Sequence, residues 1–188
     1  MNKREFIKAS CALGICSCTA PALFSSESSK QEDEDCDKIK DMNWRLNWRL
    51  NHAKGQLCIL LNEIEDDIPL EKRKEILEKM GRNCASSTSW AEKYKGDPEV
   101  YFEFMNTAHG ETITYDRKKG LIKVVSGERD QCPCPIVDSS KTPPYYCHCS
   151  IGWQKQIYET MLDKKVEVNL VESVLRGSKR CIFEVTVS

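Results

Sequence analysis

The sequence predicts an α+β fold in which N-terminal helices pack on an antiparallel sheet made of two hairpins, with a helix between the hairpins. Three observations carry this expectation. Apolar residues recur at helical spacing through the first half of the chain. The period then changes to alternation in two stretches, each built around a polar turn containing Gly. One further helical stretch separates the two. The 188 residues suffice for a single domain and a tail. With 28 Lys+Arg against 29 Asp+Glu there is no polybasic surface, which argues against a nucleic-acid partner. Outside a short N-terminal stretch nothing approaches about 18 uninterrupted apolar residues, which excludes a polytopic membrane protein.

The chain opens with Met1-Asn2-Lys3-Arg4-Glu5-Phe6-Ile7-Lys8 and is then largely apolar from Ala9 to Phe24, which reads as an export signal over residues 1–22. The basic pair followed by Phe, Ile and Lys resembles a twin-arginine signal with Lys3 in place of the first Arg, and Sec export is the alternative. Ala20-Pro21-Ala22 offers small residues for cleavage. Ile15-Cys16-Ser17-Cys18 is a loose lipobox, so the expected membrane contact is a lipid anchor at Cys18. The expected location is the periplasm or cell envelope. Residues 23–35 are mostly polar and read as a flexible linker. Residues 36–188 are then one cysteine-rich domain.

Between Cys36 and Asp67 there is no Pro, and Met42, Leu46, Ala53, Leu57, Leu60, Leu61 and Ile64 recur near helical spacing, so a long amphipathic helix is expected, broken near Gly55. Trp44 and Trp48 lie one turn apart, roughly 200° around the helix from Leu46 and Leu50. Two apolar faces need two burial partners, either the domain itself or a homodimer formed through Trp44 and Trp48. Residues 70–80 read as a second helix stopped by Gly81. Short helices follow at 87–94 and 97–107, the latter opened by Asp97-Pro98. Thr112 to Tyr115 and Leu121 to Val125 flank a Gly-containing turn. A helix over 151–162 precedes a second hairpin, Val166 to Val171 with Cys181 to Val187.

The chemistry concentrates in Cys132-Pro133-Cys134-Pro135 and Cys147-His148-Cys149. In an extended chain residues two apart face the same side, and Pro pushes the preceding Cys toward extended geometry, so each pair can aim two sulfurs at one place. Thiolates at such spacing suit Zn²⁺, while Cu(I) or an iron–sulfur cluster is chemically compatible. With Cys84 and Cys181 there are six candidate metal ligands: Cys132, Cys134, Cys147, Cys149, Cys181 and Cys84. Disulfides are the alternative without a cofactor, because eight Cys (36, 58, 84, 132, 134, 147, 149, 181) follow the signal, an even number in an oxidising compartment. Cys58 reads as plain core. His52 and His109 lack supporting context, and Glu159 and Glu172 read as solvated. No Gly-rich phosphate loop, Gly-x-Ser-x-Gly elbow or His-Glu-x-x-His helix occurs.

The stretch from Cys147 to Val187, with Cys-x-Cys-Ser-x-Gly-Trp, a helix, and then Val-Glu-Ser-Val-Leu-Arg-Gly-Ser-Lys-Arg-Cys-x-Phe, resembles the C-terminal half of 4-vinyl reductase-type domains. It is also similar to the 2-amino-thiazoline-4-carboxylate hydrolase-like bacterial families. Gly81 to Ala85 and the Cys-Pro-Cys-Pro loop extend the similarity over much of residues 70–187. The resemblance implies the α+β fold shared with nitric-oxide-sensing haem domains and transport-particle subunits, small-ligand sensing, and zinc in some members. Cys147 and Cys181 match the family's Cys positions and Gly177 its turn Gly, whereas Ser173 stands where many members carry Cys. The leading expectation is an exported small-ligand-binding or sensory module with a Cys-ligated zinc. The alternatives are a hydrolase acting on a C–N bond of a small cyclic amidine or amide, and a thiol-redox protein.

Overall fold

A computed structural model describes residues 26–188, with side-chain surroundings from residue 38 onward. The expected signal over 1–22 and the Cys18 anchor lie outside the described residues. The chain divides into two compact units, residues 1–52 and 53–188. Helix α1 (Ser26–Asp67) runs through Gly55 without a break and begins inside the stretch read as a linker. Extending an existing helix avoids the cost of nucleation, so a polar segment continues it more readily than it would start one. In the first unit Trp44 and Trp48 are exposed, and Trp48 stacks on His52 with ring centroids 5.3 Å apart.

In the second unit, the end of α1 is followed by α2 (Leu70–Ser86), α3 (Trp90–Lys93) and α4 (Pro98–Ala108). The hairpin of β1 (Thr112–Asp116) and β2 (Leu121–Val125) comes next. A long loop leads to a 3₁₀ turn (Pro144–Cys147) and α5 (His148–Leu162). Strands β3 (Val166–Glu172) and β4 (Ile182–Val187) end the chain, with a second 3₁₀ turn (Val174–Arg176) between them. The four strands form one antiparallel sheet in the order β1-β2-β4-β3, so the two hairpins meet through β2 and β4. The expected fold class is therefore the observed one.

Alternation sets the buried face of the sheet. Ile113, Ile122, Val124, Val166, Leu170, Phe183 and Val185 point inward, against Tyr101, Phe102 and Met105 of α4 and Ile151, Ile157, Tyr158 and Met161 of α5. A second, smaller core joins Leu61 of α1, Leu77 of α2, Val137 of the long loop and Tyr146 of the first 3₁₀ turn. Burying side chains of this size stabilises by about 1.5–3 kcal/mol each before chain entropy is subtracted.

Two elements differ from expectation in ways that shape the site. Gly81 does not stop α2, which continues to Ser86. A Cβ on Gly81 would stand 1.8 Å from the carbonyl oxygen of Cys149, and one on Gly152 would stand 1.9 Å from that of Glu78. Gly is thus required at both positions because α2 and α5 cross backbone against backbone. In addition, α5 begins at His148, three residues before the expected start, so Cys147 and Cys149 belong to helical turns and not to an extended chain. The helix expected over 87–94 is confined to Trp90–Lys93.

Candidate functional site

The α2–α5 crossing determines where the cysteines lie. Gly81 touches Cys149 across the crossing, and Cys84, one turn beyond Gly81, shares that face of α2. Cys147 and Cys149 stand two residues apart on helical turns and so point roughly 200° apart. Cys147 is buried in the main core, which also packs against Cys181. Cys149 instead packs on the second core with Cys132 and Cys134.

Electrostatic neighbours sort the thiols further. Burial pushes the Cys132 thiol up to about 11, and the thiols of Cys134, Cys147 and Cys181 add to the rise. The Cys147 thiol is raised by burial, opposed by a hydrogen bond shared with the Ser173 hydroxyl, and raised again by Cys181, while Arg176 favours the thiolate. The Sγ–Oγ distance is 3.0 Å, and Ser173 is itself only 1% exposed. The Cys149 thiol is pushed up to about 12 by burial, and Cys134, Cys84 and Cys147 contribute. That of Cys134 is raised by burial and by Cys84, with Lys54 acting in the opposite sense.

The six cysteines lie on four segments and neighbour one another across the α2–α5 crossing and the long loop. Cys147 meets Ser173 and has Cys181 and Cys132 as electrostatic neighbours, while Cys132 also packs on the second core beside Cys134 and Cys149. Cys84, Cys134 and Cys149 are the neighbours of the buried Tyr146 hydroxyl, with the Cys149 thiol as its hydrogen-bonding contact. As the side chains stand, no three His, Cys, Asp or Glu among the described residues form a ready-made ligand set. Cys58, Cys84, Cys132, Cys134, Cys147, Cys149 and Cys181 are free thiols. The shifted thiols are neutral near pH 7, which suits metal binding with proton release better than nucleophilic attack, which needs a thiolate.

Backbone hydrogen bonds fix the rest of the site. The Ser126 hydroxyl accepts from the Cys181 amide at 2.9 Å, and the Ser126 amide donates to the Cys181 carbonyl at 2.9 Å, which ties the loop start to the β4 entry. The Cys132 amide donates to Ser139 Oγ at 2.8 Å. Thr142 meets the Cys58 thiol at 3.4 Å, and Cys58 is buried as expected of a core residue. Arg73 of α2 lies over the Tyr145 ring at 4.5 Å, while the Tyr145 hydroxyl donates to the Leu61 carbonyl.

The other sequence candidates have ordinary roles. Glu159 pairs with Arg82 at 2.8 Å and so joins α5 to α2. His109 packs among the rings of Trp90 and Phe104. His148 lines an open groove with Glu71, Lys74, Glu78 and Arg82, and burial, then Lys74 and Arg176, disfavour its protonation. Sequence reasoning missed Tyr146, a residue whose importance comes only from its position among the sulfurs. It noted Ser173 as a missing Cys, and that was the available signal for its place beside Cys147.

Comparison with solved structures finds similar architectures of low identity. A trafficking protein particle complex subunit 3 from Naegleria fowleri, covalently bound to palmitic acid, is 17% identical, with 73% of this chain and 95% of that chain covered and a TM-score of 0.45. An H-NOX protein from S. oneidensis is 10% identical, with 98% and 89% covered and a TM-score of 0.42. A vinyl-4-reductase family protein from Methanocaldococcus jannaschii is 15% identical, with 90% and 99% covered and a TM-score of 0.32. No curated protein matches. The family model of DUF6144, a family of unknown function, matches residues 17–188, and the chain belongs to that family.

Proposed function

We propose that this protein is an exported small-ligand-binding or sensory module whose fold is clamped by a Cys-ligated zinc ion at Cys132, Cys147 and Cys181. The observation that carries the proposal is the approach of these three free thiols from three segments, the long loop, the turn that opens α5 and the entry to β4, with Cys147 held by the buried Ser173 hydroxyl. Sulfur donors of this kind suit Zn²⁺. Bound to thiolates, the ion supplies a cross-link and no redox chemistry. Each coordinating thiol releases its proton to solvent. With zinc bound, Ser173 would donate to the Cys147 sulfur, and Arg176 would offset part of its charge.

The sulfurs must turn to close on an ion. Rotation about Cα–Cβ moves a Cys sulfur by roughly 3 Å between staggered positions, a small adjustment for side chains that are already neighbours. The loop gains most from the clamp. Residues 126–143 contain three Pro that donate no backbone hydrogen bond, and among them only Ser126, Val137 and Thr142 are buried. The export component rests on the N-terminal pattern alone and is checked by the intact mass of native protein, which should lack residues 1–22 or begin at a lipidated Cys18.

The zinc reading is tested on purified full-length protein by melting with and without a chelator. Chelation should lower the melting temperature of the parent and have little effect on Cys181→Ser. A parent that responds to reductant and ignores chelator would refute the zinc clamp in favour of disulfides.

A further inference from the structure

Of the twelve large apolar side chains left exposed among the described residues, seven lie on α1. Neither the zinc clamp nor the domain core uses them, and a contiguous exposed apolar strip marks a surface that another element covers. At 100° per residue, Met42, Leu46, Ala53 and Leu60 of this unbroken helix fall within a sector of about 40°, with Ile39 just beside it. All five are exposed, Leu46 by 55% and Leu60 by 57%. In the second unit a different side of the helix is buried, that of Cys58 and Leu61, about 160° and 100° around from Leu60. Trp44 and Trp48 lie roughly 200° from Leu46 and are not part of the strip.

Charge is divided along the same helix. Lys38, Arg45 and Arg49 border the strip on one side, and Gln56, Glu63 and Asp67 occupy that same side further on. Residues 38–54 carry five Lys or Arg against Asp41 alone, a net of +4, whereas residues 55–67 carry four Asp or Glu and no Lys or Arg, a net of −4. Two parallel copies of such a helix would set like charges side by side. Antiparallel copies set each basic stretch against an acidic one. A two-fold axis near Ala53 brings Leu46 of one copy to Leu60 of the other, and Arg45 and Lys38 to the level of Glu63 and Asp67. Ala53 then meets its own symmetry mate, where a small side chain permits close approach. Arg45 also pairs with Asp41 of its own helix at 2.9 Å, but that pair is exposed on both sides and therefore weak.

We infer that α1 is a dimerisation helix, through which two copies of this chain pair antiparallel along Ile39, Met42, Leu46, Ala53 and Leu60, the basic flank of each lying against the acidic flank of the other. The overlap of residues 38–67 extends about 45 Å, or about four heptads. A second copy fits this face better than an anionic membrane does, because a membrane attracts the basic stretch and repels the acidic one. No cysteine of the zinc clamp lies on the strip, so the pairing is independent of the metal.

The test is sedimentation equilibrium of the full-length protein and its variants. The parent should show a monomer–dimer equilibrium. Leu46→Glu and Leu60→Glu should each raise the dissociation constant at least about 10-fold, and because both positions are exposed the melting temperature of the monomer should be little changed. Charge reversal reads the orientation. Arg45→Glu with Arg49→Glu, and Glu63→Lys with Asp67→Lys, should each weaken the dimer about 10-fold, whereas all four reversals together should restore it to within about 3-fold of the parent. A parent that is monomeric at every concentration would overturn the inference, as would a dimer indifferent to both Leu substitutions. A fourfold reversal that dimerises no better than the two double variants would overturn the antiparallel pairing. Monomeric protein that sediments with anionic lipid vesicles, and loses that binding in Leu46→Glu, would overturn the dimer in favour of a membrane surface.

Discussion

Gly152→Ala is the most direct probe of how the fold assembles the sulfurs. A Cβ at this position would lie 1.9 Å from the Glu78 carbonyl oxygen, against the 3.4 Å at which ordinary contact begins. The α2 and α5 backbones must therefore part by about 1.5 Å, because the obstructing atoms are main chain and have no rotamer to escape into. Overpacking of this kind costs about 1–3 kcal/mol, with the upper end appropriate where two helices must shift together. The intrinsic helix preference of Ala over Gly returns about 1 kcal/mol. The net expectation is a destabilisation of about 2 kcal/mol, or a fall in melting temperature of roughly 4–10 °C for a domain of this size.

Gly55→Ala supplies the control. Gly55 lies within α1 with no atom within 4 Å of its would-be Cβ, so Ala there should stabilise by about 0.5–1 kcal/mol. Thermal and urea denaturation of both variants, followed by circular dichroism, isolates the crossing from propensity. Parting the helices also separates Cys149 from Cys84. If Gly152→Ala proves as stable as the parent while Gly55→Ala gains stability, the close helix crossing is wrong, and with it the placement of Cys84 beside Cys149.

Three further outcomes follow from the geometry. Ser173→Ala removes the 3.0 Å partner of the buried Cys147 thiol and should cost about 1 kcal/mol in urea unfolding of metal-free protein, with a further loss of zinc affinity in the holoprotein. Zinc binding should strengthen with rising pH and release protons from the coordinating sulfurs at pH 7, measured by calorimetry in buffers of different ionisation enthalpy, because burial holds Cys132 near 11 and raises Cys147. At Glu159, burial pushes the carboxyl up, but the hydrogen bond from Arg82 and the charge of that guanidinium outweigh it and hold it below its ordinary 4.5. With the folded value depressed, its stabilisation is fully present above the ordinary value and is lost as pH falls through 4.5 toward the native one. Glu159→Gln should accordingly destabilise by about 1 kcal/mol at pH 7, and the difference from the parent should shrink at pH 3.

Much of the fold was legible because its signals are local. The alternation in Leu121 to Val125 and in Ile182 to Val187, and the Pro at the first position of α4, each act over a few residues, and strands and helix stand where those signals put them. Gly81 shows the limit of local reading. In sequence it resembles a helix stop, yet its lack of a side chain serves a contact with a segment 68 residues further on, which only tertiary packing reveals.

The cysteines divide along the same line. Their chemistry and the six positions were readable from spacing, but the inference that each Cys-x-Cys pair aims both sulfurs at one place assumed an extended backbone. Around Cys147 the chain is helical, so two residues of separation turn the second sulfur away, and Cys147 and Cys149 pack on different cores. Tyr146 left no trace in the sequence, since an aromatic residue after a Pro pair reads as ordinary packing, and only the fold buries it beside three thiols.

The most direct test of the zinc-clamped module is elemental analysis of the native full-length protein, purified without added metal, combined with thiol counting before and after chelation. Native protein should contain bound zinc, with Cys132, Cys147 and Cys181 protected from thiol reagents until the chelator removes it. Protein that contains no zinc and whose cysteines become countable only after reduction would contradict it.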